Sequence, residues 1–480
     1  MDIFLTNTLG RKKSKFTPLI PEHVGIYSCG PTVYHFTHIG NLRFFVFTDL
    51  LKRMFLFNNY SINHVMNITD VGHLTSDADV GEDKIEKGAK REGKTVWEIA
   101  DFYTNAFLKD SDSLNIRRPN TIARATKHIT EMIEFIKLIE QNGFTYISEG
   151  NVYFDTSKIP NYGKLTGLKQ NEEDSKARVE KDPHKKNQAD FVLWFTRHKH
   201  GDHAMIWDSP WGEGFPGWHI ECSAMSTKYL GKVFDIHTGG IDLASIHHNN
   251  EIAQCVGAFH DESVNIWLHS EFLVMGESKM SKSTGEFLQL QSLIDKGYTP
   301  MDFRYLLLGT HYRKKMNFSF EILDGAKNTM DKIRSRVLEL RKEEQLEETE
   351  HIEEKFVEKI EEELQEENKF EYYVDQFKSE INDDLNTPQA LATLWEVIND
   401  DELDPITKLE LLEKFDTVLG LGIKDINLEV IPENILKIKE ERDLARKTKD
   451  WKKSDELRDL LLTKGYKVQD DKEGSEVIKI

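Results

Sequence analysis

With 480 residues, 39% hydrophobic and 30% charged, the chain has the composition of a globular protein and, at about 150 residues per domain, room for about three domains. A net charge of -20 excludes a protein that coats nucleic acid through bulk positive charge, although a local basic groove on an acidic body stays open. No apolar run reaches membrane-spanning length, the start MDIFLTNTLGRKKSKF lacks an apolar signal core, and Cys29, Cys222 and Cys255 are too few and scattered for a disulfide framework, so a cytosolic protein with reduced thiols is expected.

The run GIYSCGPTVY (25–34) reads as a β-branched and aromatic strand that breaks at Gly30-Pro31. HIGNLRFFVFTDLLKRMFLF (38–57) has apolar residues at helical spacing, and SINHVMNITD (61–70) is a second strand. Strand, helix and strand in so short a span make a βαβ unit. It implies an α/β fold with a parallel sheet and a ligand site beyond the carboxyl ends of the strands, in the loops after Tyr34 and Asp70.

The stretch from about 115 to 205 is mixed α+β and reads as an insert, with the Lys-rich DSKARVEKDPHKKNQ (174–188) as a mobile loop. The sheet resumes with KVFDIHTGGID (232–242), a helix from His247 to His260 and VNIWLHSEFLV (264–274). From Phe320 to about 424 the pattern is almost all helical, and the charge on most faces of 341–370 marks a solvated helix or connector. The final unit, about 426–480, has a basic helical stretch and two short strand-like runs, GYKVQD and SEVIKI. The expected domains are therefore 1–319 with the insert, 320–425 and 426–480.

His247 and Glu251 stand four residues apart on one helix face. Alone, such a pair is ordinary helix decoration. Cys29, at the end of the first strand, and Cys222, in GWHIECSAM, add two thiolates to that imidazole and carboxylate and complete a zinc set. Cys255, one turn beyond Glu251, is expected in the core.

HIGN (38–41), at a helix start, places His38 and Asn41 as donors beside free backbone N–H groups, and Gly40 permits close approach of an adenine. KMSKS (279–283), between Gly276 and Gly285, offers Lys279 and Lys282 as positive charge for a leaving pyrophosphate. With CGPTVY (29–34), NITD (67–70), PGWHIECSAM (216–225), GGIDLASIHHNNEIAQ (239–254), NDDLNTPQAL (382–391) and KDWKKSDELRD (449–459), the chain resembles the cysteinyl-tRNA synthetases over nearly its whole length. Each string alone is weak, but eight in family order are specific.

The resemblance implies a class I synthetase fold: a Rossmann-type parallel sheet with an inserted segment, a helical domain and a small anticodon-binding unit. It implies activation of L-cysteine with Mg-ATP and transfer to the 3′ end of tRNA(Cys) by a cytoplasmic monomer, with one zinc per chain. His38, Asn41, Lys279 and Lys282 would be catalytic. Gly40, Gly239, Gly240, Asp242 and Lys282 would hold ATP, and Thr32, Trp218, His219 and His237 would shape the cysteine pocket. Arg446, Trp451, Asp455 and Asp470 would read the anticodon.

Zinc at Cys29, Cys222, His247 and Glu251 would recognise the substrate, since cysteine and serine differ by one atom and an apolar pocket separates such near-isosteres by only about 1–3 kcal/mol. The sequence departs from the family pattern at Asn41, at HTGG (237–240) and in GHLTSDADVGEDKI (72–85), which touches loop geometry and the ribose contact but not the metal set. Other readings are an ATP-dependent cysteine ligase acting on a small amine, a non-catalytic zinc-stabilised binding protein and a zinc hydrolase. The elaborate C-terminal region argues against the first, the intact HIGN and KMSKS against the second, and four protein ligands against the third.

Overall fold

The computed structural model describes residues 1–72, 84–167, 184–196, 203–275, 278–279, 288–350, 358–428, 432–470 and 475–479. It divides into two compact units, Met1–Asp425 and Ile426–Ile480.

In the first unit, β1 (Phe4–Asn7) and β2 (Lys12–Lys15) form a hairpin-like pair ahead of the main sheet. That sheet is built from β3 (His23–Ser28), β4 (Ser61–Ile68), β5 (Thr121–Arg124), β10 (Phe234–Gly240) and β11 (Val264–Ser270), in the order β11-β10-β3-β4-β5 and parallel throughout. Val24 to Ser28 are buried without alternation, as expected of a parallel strand covered on both faces. The chain runs outward from β3 to β5 and returns on the other side of β3, so the strand order reverses between β3 and β10. Ligands of open α/β sheets bind beyond the carboxyl ends at that point.

Helix α1 (Ile39–Phe57) crosses from β3 to β4. It is buried on nearly all sides, including Arg43, Asp49, Lys52 and Arg53. Asp49 accepts from Arg53 Nε at 2.8 Å and Arg304 Nη2 at 2.6 Å, and Arg304 also donates to the carbonyls of Leu114 and Leu419, both at 2.7 Å. This buried node ties α1 to the helical region.

The stretch 115–205, read as an insert, contributes to two sheets. Its Thr121–Arg124 is the β5 edge of the main sheet, because it continues the parallel ladder from β4. The rest builds an antiparallel sheet of β6 (Thr145–Ser148), β7 (Asn151–Phe154), β8 (Phe191–Thr196) and β9 (Gly214–Pro216), which extends beyond 205. Much of the 174–188 loop lies outside the described residues. Gly217 follows β9 so closely against β8 that a Cβ there would sit 2.0 Å from the Val192 carbonyl oxygen. The close approach fixes the start of the helix Trp218–Leu230, and that helix delivers His219 and Cys222.

After β11, a three-stranded sheet joins β12 (Leu273–Met275), β13 (Ser278–Lys279) and β14 (Met316–Asn317) in the order β13-β12-β14. Helices Phe320–Glu350, Glu358–Asn382, Thr387–Asn399 and Pro405–Leu419 complete the unit, with Phe377 stacked on Phe415 at 4.2 Å. Part of the charged stretch 341–370 lies outside the described residues.

The second unit packs helices Glu433–Lys447 and Trp451–Thr463 with an antiparallel pair, β15 (Tyr466–Asp470) and β16 (Ser475–Lys479). Ile435, Leu461 and Val477 form its small core. No helix among the described residues is long and apolar enough to cross a membrane.

Candidate active site

Cys29 follows β3 directly, and Gly30 explains how the chain leaves the sheet there. A Cβ at Gly30 would lie 1.6 Å from the Asn67 carbonyl oxygen, and its N–H donates to Asn67 Oδ1 at 2.7 Å. The strand end is therefore pinned to β4 and turns its thiol toward the helix that carries Cys222.

Cys29 Sγ lies 4.0 Å from Cys222 Sγ. His247 and Glu251 project from one face of the helix His247–Phe259, with His247 Nε2 3.1 Å from Glu251 Oε1. One ligand atom from each of Cys29, Cys222, His247 and Glu251 lies within 4.8 Å of the other three, and all four residues are buried. The buried set can hold a metal ion.

The partners of this set orient it. His237 Nε2 meets Glu251 Oε2 at 2.8 Å, and His219 Nδ1 meets His247 Nδ1 at 2.9 Å, one ring of that pair donating to the other. Among the described residues Glu251 Oε1 has no hydrogen-bond partner although it is buried. A carboxylate oxygen left open beside two thiols and an imidazole fits a soft divalent cation. A second set, Cys29, His237, His248 and Glu251, is equally compact. The two sets share Cys29 and Glu251, but only the first adds a second thiol, Cys222, and two soft sulfur ligands with one imidazole and one carboxylate suit a soft divalent cation better.

Burial pushes the Glu251 carboxyl up, but His237 and His247 outweigh it and hold the group at about 2. Burial pushes His247 down, yet Glu251 and Cys222 bring it up to about 10. Burial raises Cys222 as well, while the bond to Cys29 and the His247 charge lower it to about 7. Cys29 is held well above the usual thiol range by burial and by Cys222 beside it. The four groups thus behave as one coupled cluster in which Glu251 stays anionic.

The nucleotide-binding candidates flank this cluster. His38 caps α1, its Nδ1 accepting from the Asn41 N–H at 3.1 Å, and Asn41 is exposed. A Cβ at Gly40 would press on His38 Nδ1 at 3.0 Å, so the open space at this helix start depends on glycine. Gly239 and Gly240 end β10 across the switch point, followed by the exposed Asp242. Side chains there would collide: a Cβ at Gly239 meets His248 Cε1 at 2.4 Å and one at Gly240 meets Asp242 Oδ1 at 2.5 Å.

Among the pocket candidates, Thr32 is half-buried and bridges to Thr69, and the Trp218 ring lies 4.4 Å from that of His247. Lys279 is in β13, paired with Val274, while Lys282 lies outside the described residues. In the second unit Trp451 is 59% exposed at the start of its helix, and Asp455, on the same face, pairs with Arg458 at 3.3 Å. Arg446 is half-buried, and Asp470 ends β15.

Sequence reasoning passed over His248, 3.3 Å from Cys29 Sγ, and His269, whose Nδ1 reaches Thr8 Oγ1 at 2.8 Å. The adjacent histidines at 247 and 248 were the available signal for the first. His269 had none, since a single histidine in a strand carries no spacing.

The family model for the class I (C) tRNA synthetase catalytic domain matches residues 15–328, more than half of the chain. A cysteine--tRNA ligase of Treponema denticola is 46% identical over 98% of both chains. The chain belongs to the cysteinyl-tRNA synthetase family. Another cysteinyl-tRNA synthetase, from Borrelia turicatae, is 44% identical over 95% of both chains, and one from Burkholderia lata is 42% identical over 99% of this chain and 96% of its own. The fold is also that of a Mycobacterium tuberculosis methionyl-tRNA synthetase solved with methionyl-adenylate, at a TM-score of 0.59, 13% identity and coverage of 84% of this chain and 93% of that one. The class I cysteinyl-tRNA synthetases thus account for the parallel sheet, and within it the buried Cys, His and Glu cluster sits at the switch point.

Proposed function

We propose that the chain joins L-cysteine to tRNA(Cys) in two steps. The cysteine carboxylate attacks the α-phosphate of Mg-ATP and releases pyrophosphate, and a ribose hydroxyl at the tRNA 3′ end then attacks the acyl carbonyl of the cysteinyl adenylate, taking the cysteinyl group as an ester and releasing AMP. The observation that carries this reading is the buried Cys29, Cys222, His247 and Glu251 cluster at the switch point, beside the open glycine-lined start of α1.

One zinc ion would be held by those four residues, and when bound it supplies a soft Lewis acid that favours a thiolate over an alcohol. His237 would hold Glu251 in place, and His219 would fix the tautomer of His247. Trp218, beside His247, and Thr32 would bound the amino-acid pocket and exclude water from it. His38 and Asn41, at the N-terminus of α1, would donate to phosphate oxygens, where the helix start favours negative charge. Gly40, Gly239, Gly240 and Asp242 would accommodate the adenosine, and Lys279 and Lys282 would stabilise the departing pyrophosphate.

In this reading 1–319 is the catalytic domain, 320–425 a helical domain and 426–480 the anticodon-binding domain of a cytoplasmic monomer. Trp451, Asp455, Arg446 and Asp470 would contact splayed anticodon bases by stacking and hydrogen bonding. Exposure of Trp451 favours this role over a core one. Charging of tRNA(Cys) with radiolabelled cysteine tests the reading. Transfer to tRNA is expected, whereas cysteine adenylate formed and passed only to small amines would favour a cysteine ligase instead.

A further inference from the structure

Arg43 stands one turn into α1, 3% exposed, and among the described residues its guanidinium bonds go to backbone carbonyls. Nη1 donates to the carbonyls of Glu271 at 3.0 Å and Phe272 at 2.6 Å, and Nη2 to those of His311 at 3.3 Å and Lys314 at 2.6 Å. Burial lowers the guanidinium to about 10, with Glu271 opposing, so it is still a cation at neutral pH. A buried charge satisfied by four backbone oxygens is costly to build and holds those four in one geometry.

The carbonyls belong to two segments that meet in one sheet. Glu271 and Phe272 lead into β12, and Lys314 leads into β14. β12 pairs with β14 on one side and, on the other, with β13, which carries Lys279. The same end of α1 is also fastened to the chain beyond β13. Ile39 N–H donates to the Leu288 carbonyl at 2.9 Å, and His38 bridges to Gln289. The start of α1 is thus joined by side chain to the strands before and beside Lys279, and by backbone to the segment after it.

We infer that Arg43 is a positioning residue for adenylation, setting the strand that carries Lys279 against the α1 terminus that carries His38 and Asn41. This rests on the functional reading above, in which His38, Asn41 and Lys279 all act on the ATP phosphates. Arg43 itself need not touch substrate. Its planar fork reaches four acceptors at once, which the single ammonium of a lysine cannot do. A small displacement between groups that must converge on one transition state lowers turnover more than ground-state binding.

The test is cysteine-dependent pyrophosphate–ATP exchange with Arg43→Lys and Arg43→Gln, alongside thermal melting and zinc content. The inference expects folded variants with full zinc, a cysteine KM within twofold of the parent and kcat lowered at least tenfold, with lysine failing to rescue. A folded variant with kcat within twofold of the parent, or a parallel rise in cysteine KM, would overturn it. So would loss of the fold in both variants, which would make the role structural. Absence of exchange in the unaltered protein would instead overturn the functional reading, and this inference with it.

Discussion

Replacing Glu251 by Gln keeps the side-chain shape and removes its charge. The carboxylate is 3% exposed, with Oε2 2.8 Å from His237 and Oε1 3.1 Å from His247 but without a hydrogen bond. At a pKa of about 2 it is anionic across the physiological range, and with two thiols deprotonated on metal binding it would present a bound cation with one of three negative charges. Altering a partner behind a metal ligand lowers affinity by about 10–100-fold. Neutralising the ligand itself should do at least as much, or about 1.4–2.7 kcal/mol at 1.36 kcal/mol per decade. In the metal-free protein the substitution also strips His247 of the carboxylate that raises its pKa, and a broken buried pair costs about 3–5 kcal/mol, less whatever His247 recovers by losing its proton. Competition against a chelator of known affinity measures the first quantity, and melting of the metal-free protein the second. A folded Glu251→Gln protein that binds zinc within twofold of the parent would refute this assignment.

Three other outcomes follow from the same geometry. Cys255→Ala should leave zinc stoichiometry unchanged, because Cys255 belongs to neither compact ligand set and burial pushes its thiol up to about 12; a lost zinc would show otherwise. Trp451→Ala should leave the melting of the C-terminal unit and pyrophosphate exchange intact while lowering kcat/KM for tRNA charging by about 5–150-fold, the equivalent of about 1–3 kcal/mol of stacking. His64 is buried with Nε2 on Ser28 Oγ at 2.8 Å, and burial, then Lys52, lower it to about 3. Its folded pKa lies below the unfolded one of about 6.5, so stability should fall as pH drops from about 6.5 toward 3. Denaturant titrations of His64→Gln should show a shallower loss over that window, and an unchanged slope would count against the buried neutral imidazole.

The βαβ unit was legible because β-branched strands and a helical apolar period alternate over a short span. Cys29, Cys222, His247 and Glu251 were legible as a set because their types match one metal, although only two of them are close in sequence. How they are held was not: His219 and His237 were legible only as pocket residues, the contact of His237 with Glu251 comes from β10 meeting the helix His247–Phe259, and His269 reaches His248 from β11, the strand beside β10. The insert's edges were blurred because β5 is a short strand whose partner, β4, lies before the helix Val96–Ser113, leaving no local signal for its sheet. Arg43 was invisible for a similar reason: its acceptors are backbone carbonyls, which carry no sequence signature.

Cysteine-dependent exchange of pyrophosphate into ATP, with serine as the control, tests the central claim most directly. An apolar pocket alone would separate the two substrates by about 10–200-fold. The account predicts exchange with cysteine, a preference over serine above that range, and loss of the preference when the metal is removed. No exchange with cysteine, or equal rates with serine in the zinc-loaded protein, would contradict it.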